Sequence, residues 1–127
     1  VATELRRQGK VTAFGRDRVD FSDPAAVADL ARTVAADAIV NAVAYTAVDK
    51  AETDEALALT VNGTSVGALA RVAAERNIPL IHISTDYVFD GAGEAPFAPD
   101  APTAPLGAYG RTKLAGEQAI RAAGGVH

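Results

Sequence analysis

The chain has 127 residues, a net charge of −4 and no cysteine. That length allows one domain with a real core. The acidic balance offers no basic patch for nucleic acid or an anionic membrane, and the missing thiols exclude disulfides and thiolate metal sites. Basic residues are scattered, with Arg6 and Arg7 the one adjacent pair. No apolar run reads as a membrane span or a secretory signal, so a cytoplasmic protein is expected.

In chain order, Val1 to Gln8 reads as helix, with Gly9 placed to end it. Lys10 to Phe14 reads as a short strand. Ser22-Asp23-Pro24 is a helix start, a capping side chain followed by a proline whose missing N–H costs nothing there. Val27, Leu30, Ala31 and Val34 continue at helical spacing. Ala38 to Ala42 reads as a buried strand. A second long helix is expected from around Thr53 to near Asn77 and Pro79, with Val66, Leu69, Ala70 and Ala73 as its apolar stripe. Leu80 to Ile83 is another buried strand, leading into Ser84-Thr85-Asp86-Tyr87. From Asp86 to Gly107 the chain is rich in Gly, Pro, Ala and Asp without periodicity, which suits either a functional lid or a surface excursion. Thr112 to Ala123 reads as a final helix.

Short apolar strands alternating with amphipathic helices predict an α/β fold with a doubly wound parallel sheet, whose ligands bind beyond the carboxyl ends of the strands. Val1 to Arg7 has no cap before it, and Ala-Ala-Gly-Gly-Val-His at the other end runs from helix into what reads as the first residues of a strand. The chain is therefore expected to be an internal piece of a larger protein, incomplete at both ends.

Tyr109 and Lys113 stand four residues apart, so on a helix the phenol and the amine share one face. A cation beside a phenol favours the phenolate, which makes such a pair suited to proton transfer on a hydroxyl or carbonyl near neutral pH. The spacing alone also fits a solvated helix face. Asp20 has a second reading as a loop charge or helix cap, and Ser84 and Thr85 as groups that satisfy backbone at a strand end. Asn41 is expected to bridge backbone groups, and His82 to be a core histidine without a catalytic part. Asp49 and Glu52 lack metal-site spacing and read as part of a helix start.

Three segments in order, Asn-Ala-Val-Ala-Tyr-Thr-Ala-Val-Asp-Lys-Ala-Glu (41–52), Ser-Thr-Asp-Tyr-Val-Phe-Asp-Gly (84–91) and Tyr-Gly-Arg-Thr-Lys-Leu-Ala-Gly-Glu (109–117), resemble the dTDP-4-dehydrorhamnose reductases of the extended short-chain dehydrogenase/reductase superfamily. Tyr-x-x-x-Lys marks the superfamily, whereas the first two segments are specific to this branch. The resemblance implies a Rossmann-like NAD(P)-binding domain and NADPH-dependent reduction of the 4-keto group of a dTDP-sugar, with NADH as the alternative cofactor. By position, Asp20 and Phe21 would meet the adenine end of the cofactor. Ala44, Tyr45 and Thr46 would line it, and Ile83 would lie beneath the nicotinamide. Thr85 and Asp86 would face the sugar, with the Thr85 hydroxyl on the keto oxygen. Tyr109 would deliver the proton, while Lys113 would bind the nicotinamide ribose and assist that proton's release. Glu4 falls where some members use a carboxylate in a magnesium-linked homodimer contact. No metal is assigned to the site itself.

The family's glycine-rich phosphate loop and its substrate-binding half have no counterpart between Val1 and His127. This polypeptide alone is therefore expected to hold cofactor weakly and turn over nothing. At the end of the second strand, where an acid often meets the adenosine ribose, stands Phe14-Gly15-Arg16. A guanidinium there suits a 2′-phosphate and hence NADPH. Two other readings remain: a non-catalytic NADP-binding regulatory subunit resembling the beta subunit of methionine adenosyltransferase, and another extended-family nucleotide-sugar epimerase or dehydratase.

Overall fold

Asp23 and Pro24 start a helix as the sequence predicts. The Asp23 carboxylate accepts the N–H groups of Ala25 and Ala26 at 3.0 and 3.1 Å, two donors that the first helical turn leaves unpaired. In the computed structural model, which describes residues 1–127, this is α2 (Pro24–Thr33), preceded by the four-residue α1 (Ala2–Leu5). Strand β1 (Ile39–Asn41) follows, then α3 (Val48–Ala51), α4 (Glu55–Leu59), a π-helical turn (Thr60–Thr64) and α5 (Ser65–Glu75). Strand β2 (Leu80–His82), a 3-10 turn (Asp86–Val88) and α6 (Ala108–Ala123) complete the order.

β1 and β2 pair in parallel, Ile39 opposite Leu80, Val40 opposite Ile81 and Asn41 opposite His82. The Leu80 N–H is taken on the other edge by the Val126 carbonyl at 3.0 Å, so the residues after α6 do return to the sheet. Ile39 and Leu80 share one face, and there they meet Val27, Ala28 and Ala31 of α2, Val66, Leu69 and Ala73 of α5 and Ile120 of α6. Small side chains at the contacts let the three helices approach one another closely. Arg76 fastens α2 to α5 by donating to the carbonyls of Ala31 and Val34 at 2.5 and 2.7 Å. These are carbonyls that a helix end leaves free.

Four expectations shift. Lys10 to Phe14 forms no ladder, because no strand lies beside it to take its backbone groups. The α/β fold with a parallel sheet holds as expected, but over this span helices cover one face of it, and the other leaves Ile81 and Ile83 54% and 51% exposed. The final helix begins at Ala108 rather than Thr112, which puts Tyr109 in its first turn. The run Glu55–Glu75 is also long and apolar enough to cross a membrane by composition; it is mostly buried against α2 and α6 and is the core helix of the domain.

The π-helical turn packs directly on α6. The carbonyl of Asn62 points at Gly116 on α6, and a Cβ added at Gly116 would overlap that oxygen. A similar overlap with the Tyr87 carbonyl excludes any side chain at Gly110. Two glycines thus set the height of α6 on the domain. Gly116→Ala should lower the unfolding free energy by about 1–3 kcal/mol, the usual cost of overpacking, whereas Gly9→Ala, with open space around it, should change it little. Urea denaturation of the two variants side by side checks this.

Candidate active site

The site forms where β1 and β2 end and α6 begins. The α6 N-terminus is fixed by Glu52, whose Oε1 accepts the Ala108 N–H at 2.6 Å across 56 residues of chain. A carboxylate at this end also meets the positive pole of the helix. Arg111, one turn into α6, donates from Nε and Nη2 to the two oxygens of Glu55 at 2.9 and 3.0 Å, and its Nη2 lies 3.9 Å from Glu52. Hydrogen bonding to Arg111 draws the Glu55 carboxyl below its ordinary range, and the same bond raises the Arg111 guanidinium. The expected helix-start role of Glu52 is therefore corrected: it caps a helix far along the chain, not its own.

Asn62, fully buried in the π-helical turn, holds the end of β1 in place. Its Oδ1 accepts the Tyr45 N–H at 2.8 Å, and its Nδ2 donates to the Tyr45 carbonyl at 3.2 Å and to Thr112 Oγ1 at 3.1 Å. One amide thereby ties the Ala44-Tyr45-Thr46 stretch to α6, on which the Thr112 hydroxyl donates in turn to the Tyr109 carbonyl at 2.9 Å. The sequence signal for it is Asn62-Gly63, a turn-forming dipeptide inside a helical pattern. Tyr45 and Tyr109 pack together against Ala51, Ala58 and Ala108. The Tyr45 hydroxyl donates to Asp54 at 3.2 Å; burial first, and then that carboxylate, raise its pKa above the ordinary phenol value.

Tyr109 meets Tyr87 edge to face, with ring centroids 5.6 Å apart. The Lys113 side chain, 1% exposed, lies one turn further on. Its Nζ is bonded to the strand: it donates to the Ile83 carbonyl at 2.5 Å and stands 3.2 Å from His82 Nε2. Burial lowers the Lys113 pKa, with Glu117 pulling the other way. His82 is lowered to about 4, by burial and then by the adjacent lysine, so its ring is neutral at pH 7. Asn41 does bridge, as expected, but between the Val43 N–H at 3.0 Å and His82 Nδ1 at 3.1 Å. His82 is only half-buried and contacts the lysine, so its reading as a core residue does not hold.

Thr85 Oγ1 accepts the Tyr87 N–H at 3.2 Å and donates to Asp86 at 3.3 Å, near the outer limit for such a bond. Its hydroxyl is therefore weakly committed. Ser84 donates to Glu117, whose other oxygen pairs with Arg121 at 3.3 Å. Thr85, Phe89, the 99–103 segment, Glu117 and Arg121 border an open cleft of about 370 Å³. The long excursion over it is steadied by a Phe89–Phe97 stack 4.6 Å apart.

The remaining predicted residues form a second group. Phe21 leans on the core, and its carbonyl accepts the Ser65 hydroxyl at 2.6 Å. Asp20 is held below its ordinary pKa chiefly by hydrogen bonds from Ser22, with the charge of Arg16 adding to them. Arg16 and Asp20 are both at the surface. Glu4 is paired with Arg7 at 2.9 Å, and no three His, Cys, Asp or Glu residues gather as metal ligands.

Lys113 thus reaches Ile83 after β2, Tyr109 packs on Tyr87 and on the alanine cluster that also carries Tyr45, and Thr85 lies between Ile83 and Tyr87 in the chain. The family described as the RmlD substrate binding domain matches residues 1–127. The dTDP-4-dehydrorhamnose reductase of Salmonella typhimurium is 51% identical over 102 residues, which is 80% of this chain and 34% of that protein. A probable dTDP-4,6-dihydroxy-2-methyloxan-3-one 4-ketoreductase of Streptomyces antibioticus is 48% identical over 111 residues, 87% of this chain and 38% of that protein. Among solved structures, the dTDP-4-dehydrorhamnose reductase of Bacillus anthracis in complex with NADP superposes with a TM-score of 0.86 at 27% identity, covering 94% of this chain and 44% of that one. The chain spans less than half the length of each relative, and over that span it belongs to the RmlD substrate binding domain family.

Proposed function

We propose that this chain is the cofactor-binding and proton-delivering part of an NADPH-dependent reductase acting on the 4-keto group of dTDP-4-dehydrorhamnose to form dTDP-L-rhamnose. The observation that carries the reading is the α6 pair at the end of β2, with Lys113 Nζ on the Ile83 carbonyl and the Tyr109 ring against Tyr87, the two contacts falling either side of Thr85, in a chain of this family. The residues present fit a nicotinamide cofactor. The Asn62 amide fixes the Tyr45 backbone along the path it would follow. The exposed Ile83 offers an apolar floor, and the Lys113 amine is held at the strand end without a carboxylate bonded to it.

The cofactor supplies hydride to the ketone carbon. What the chain adds is control of the oxygen, on which negative charge develops as the hydride arrives. The Tyr109 hydroxyl, free of any hydrogen bond within the chain, donates its proton there. The Thr85 hydroxyl leaves its weak bond to Asp86 and provides a second donor. Lys113 reaches the ribose hydroxyls on the nicotinamide side and supports proton release from Tyr109. Asp20 and Phe21 meet the adenine end. Asp86 faces the sugar, and the cleft beside Thr85 under the 99–103 segment gives a nucleotide sugar an open approach.

Arg16 lies at the surface, its charge acting on Asp20, and its guanidinium can pair with the 2′-phosphate of NADPH. The reading carries a cytoplasmic, homodimeric protein that binds neither nucleic acid nor membrane. The resemblance links magnesium to a dimer contact in some members of the family. Glu4, one carboxylate already engaged by Arg7, does not make a site for it, and no step is routed through a metal.

The full-length protein should oxidise NADPH when dTDP-4-dehydrorhamnose is added, and Tyr109→Phe should lower kcat about 10²–10⁴-fold, the range for a general acid, with NADPH binding retained. Absence of turnover in the full-length protein, together with stable capture of a protein partner, would replace this reading with that of a regulatory subunit. For cofactor choice, Arg16→Ala should raise the KM for NADPH about 10–100-fold, the loss of a charged hydrogen bond, and leave NADH kinetics unchanged. Equal efficiency with the two cofactors before and after the substitution would remove the basis for an NADPH preference.

A further inference from the structure

His82 takes no part in the reaction described above, yet both nitrogens of its ring are engaged. The side-chain contacts favour one arrangement. Asn41 Oδ1 accepts the Val43 N–H at 3.0 Å, which fixes the side-chain amide and turns its NH2 group toward His82 Nδ1 at 3.1 Å. An NH2 group donates, so Nδ1 must present its lone pair. The Asn41 backbone carbonyl accepts the Ile83 N–H at 3.3 Å and keeps a second lone pair toward the ring, a weaker claim on it than the side-chain amide contact. A neutral imidazole with Nδ1 bare carries its hydrogen on Nε2, which faces Lys113 Nζ at 3.2 Å. An ammonium has three hydrogens and no lone pair to receive it. An amine has one lone pair, and keeps a hydrogen for the Ile83 carbonyl at 2.5 Å.

We propose that His82 is a positioning residue for Lys113: fixed through Asn41 as its Nε2–H tautomer, it holds the lysine of the resting site as an uncharged amine aimed at the Ile83 carbonyl. The surroundings agree. Lys113 is 1% exposed, and the charge that bears on it is Glu117, one turn along α6, whose oxygens are occupied by Ser84 and Arg121. Tyr109, one turn the other way, is the remaining titratable neighbour on α6, and β2 contributes His82 itself. Burial moves both His82 and Lys113 toward their neutral forms. The consequence for catalysis rests on the reductase reading: the cation beside Tyr109 is then present only after Lys113 has left His82 and gained a proton, so the assembly of the charged site is tied to cofactor binding.

The test uses the cofactor-free full-length protein carrying ¹⁵N-labelled histidine and lysine. NMR at pH 7 should show His82 with Nδ1 unprotonated and Nε2 protonated, and Lys113 with the nitrogen shift of an amine. A protonated Nδ1, or an ammonium at Lys113, overturns the proposal. In His82→Gln the amide can turn its oxygen to Nζ and accept from an ammonium, so the Lys113 titration should rise by about one pH unit or more. The alkaline limb of the kcat/KM profile should move with it. A folded His82→Gln protein with an unmoved Lys113 titration also overturns the proposal. The NMR readouts need no turnover, so a failure of the reductase assay leaves them standing as a separate result.

Discussion

The height of α6 on the domain is the constraint from which the rest of the site follows. At Gly110 and Gly116 its backbone comes against the carbonyls of Tyr87 and Asn62 with no side chain between them. A helix seated that closely can carry Lys113 into contact with the end of β2 and set Tyr109 beside Tyr45. Were α6 raised by the width of a methyl group, the Lys113–Ile83 bond and the Asn62–Thr112 bond would both be lost, and the amine would return to solvent. Close backbone approach of this kind is a requirement that glycine alone meets.

The second control is electrostatic and acts on the start of the same helix. Glu52 accepts from the first turn of α6, while Arg111 returns to Glu55 and Glu52. The stretch from Tyr45 to Glu55 therefore supports the candidate site by holding α6 as well as by lining the strand end. Part of it lines the strand end, and part holds the helix that bears the phenol. The π-helical turn serves both ends, since its extra residue turns the Asn62 amide toward Tyr45 and Thr112 at once. Such turns occur often at functional sites for this reason: they redirect one side chain without ending the helix.

Residues with local signatures were legible in the sequence. The Asp23 cap, the α2 and α5 stripes, the two paired strands and the Tyr109–Lys113 face all depend on neighbours within a few positions, which periodicity and capping chemistry report directly. Lys10 to Phe14 shows the limit of that information. Its pattern is that of a strand, but a strand exists only where another offers its backbone, and none does here. Glu52 and His82 show a different limit. Each has an ordinary local reading, as a helix-start acid and a core histidine, and each is defined instead by a partner far along the chain.

By itself, the sequence determined the alternation of strand and helix, the family, and the face on which the phenol and amine stand. Those properties are set by side-chain periodicity and by short motifs that act over one or two turns. Only the tertiary structure decided what the amine touches. The i, i+4 spacing places Lys113 near Tyr109, but the seat of α6 delivers its nitrogen to Ile83 and His82, 30 and 31 residues away in sequence. A buried amine needs acceptors, and the fold determines which ones lie within its reach.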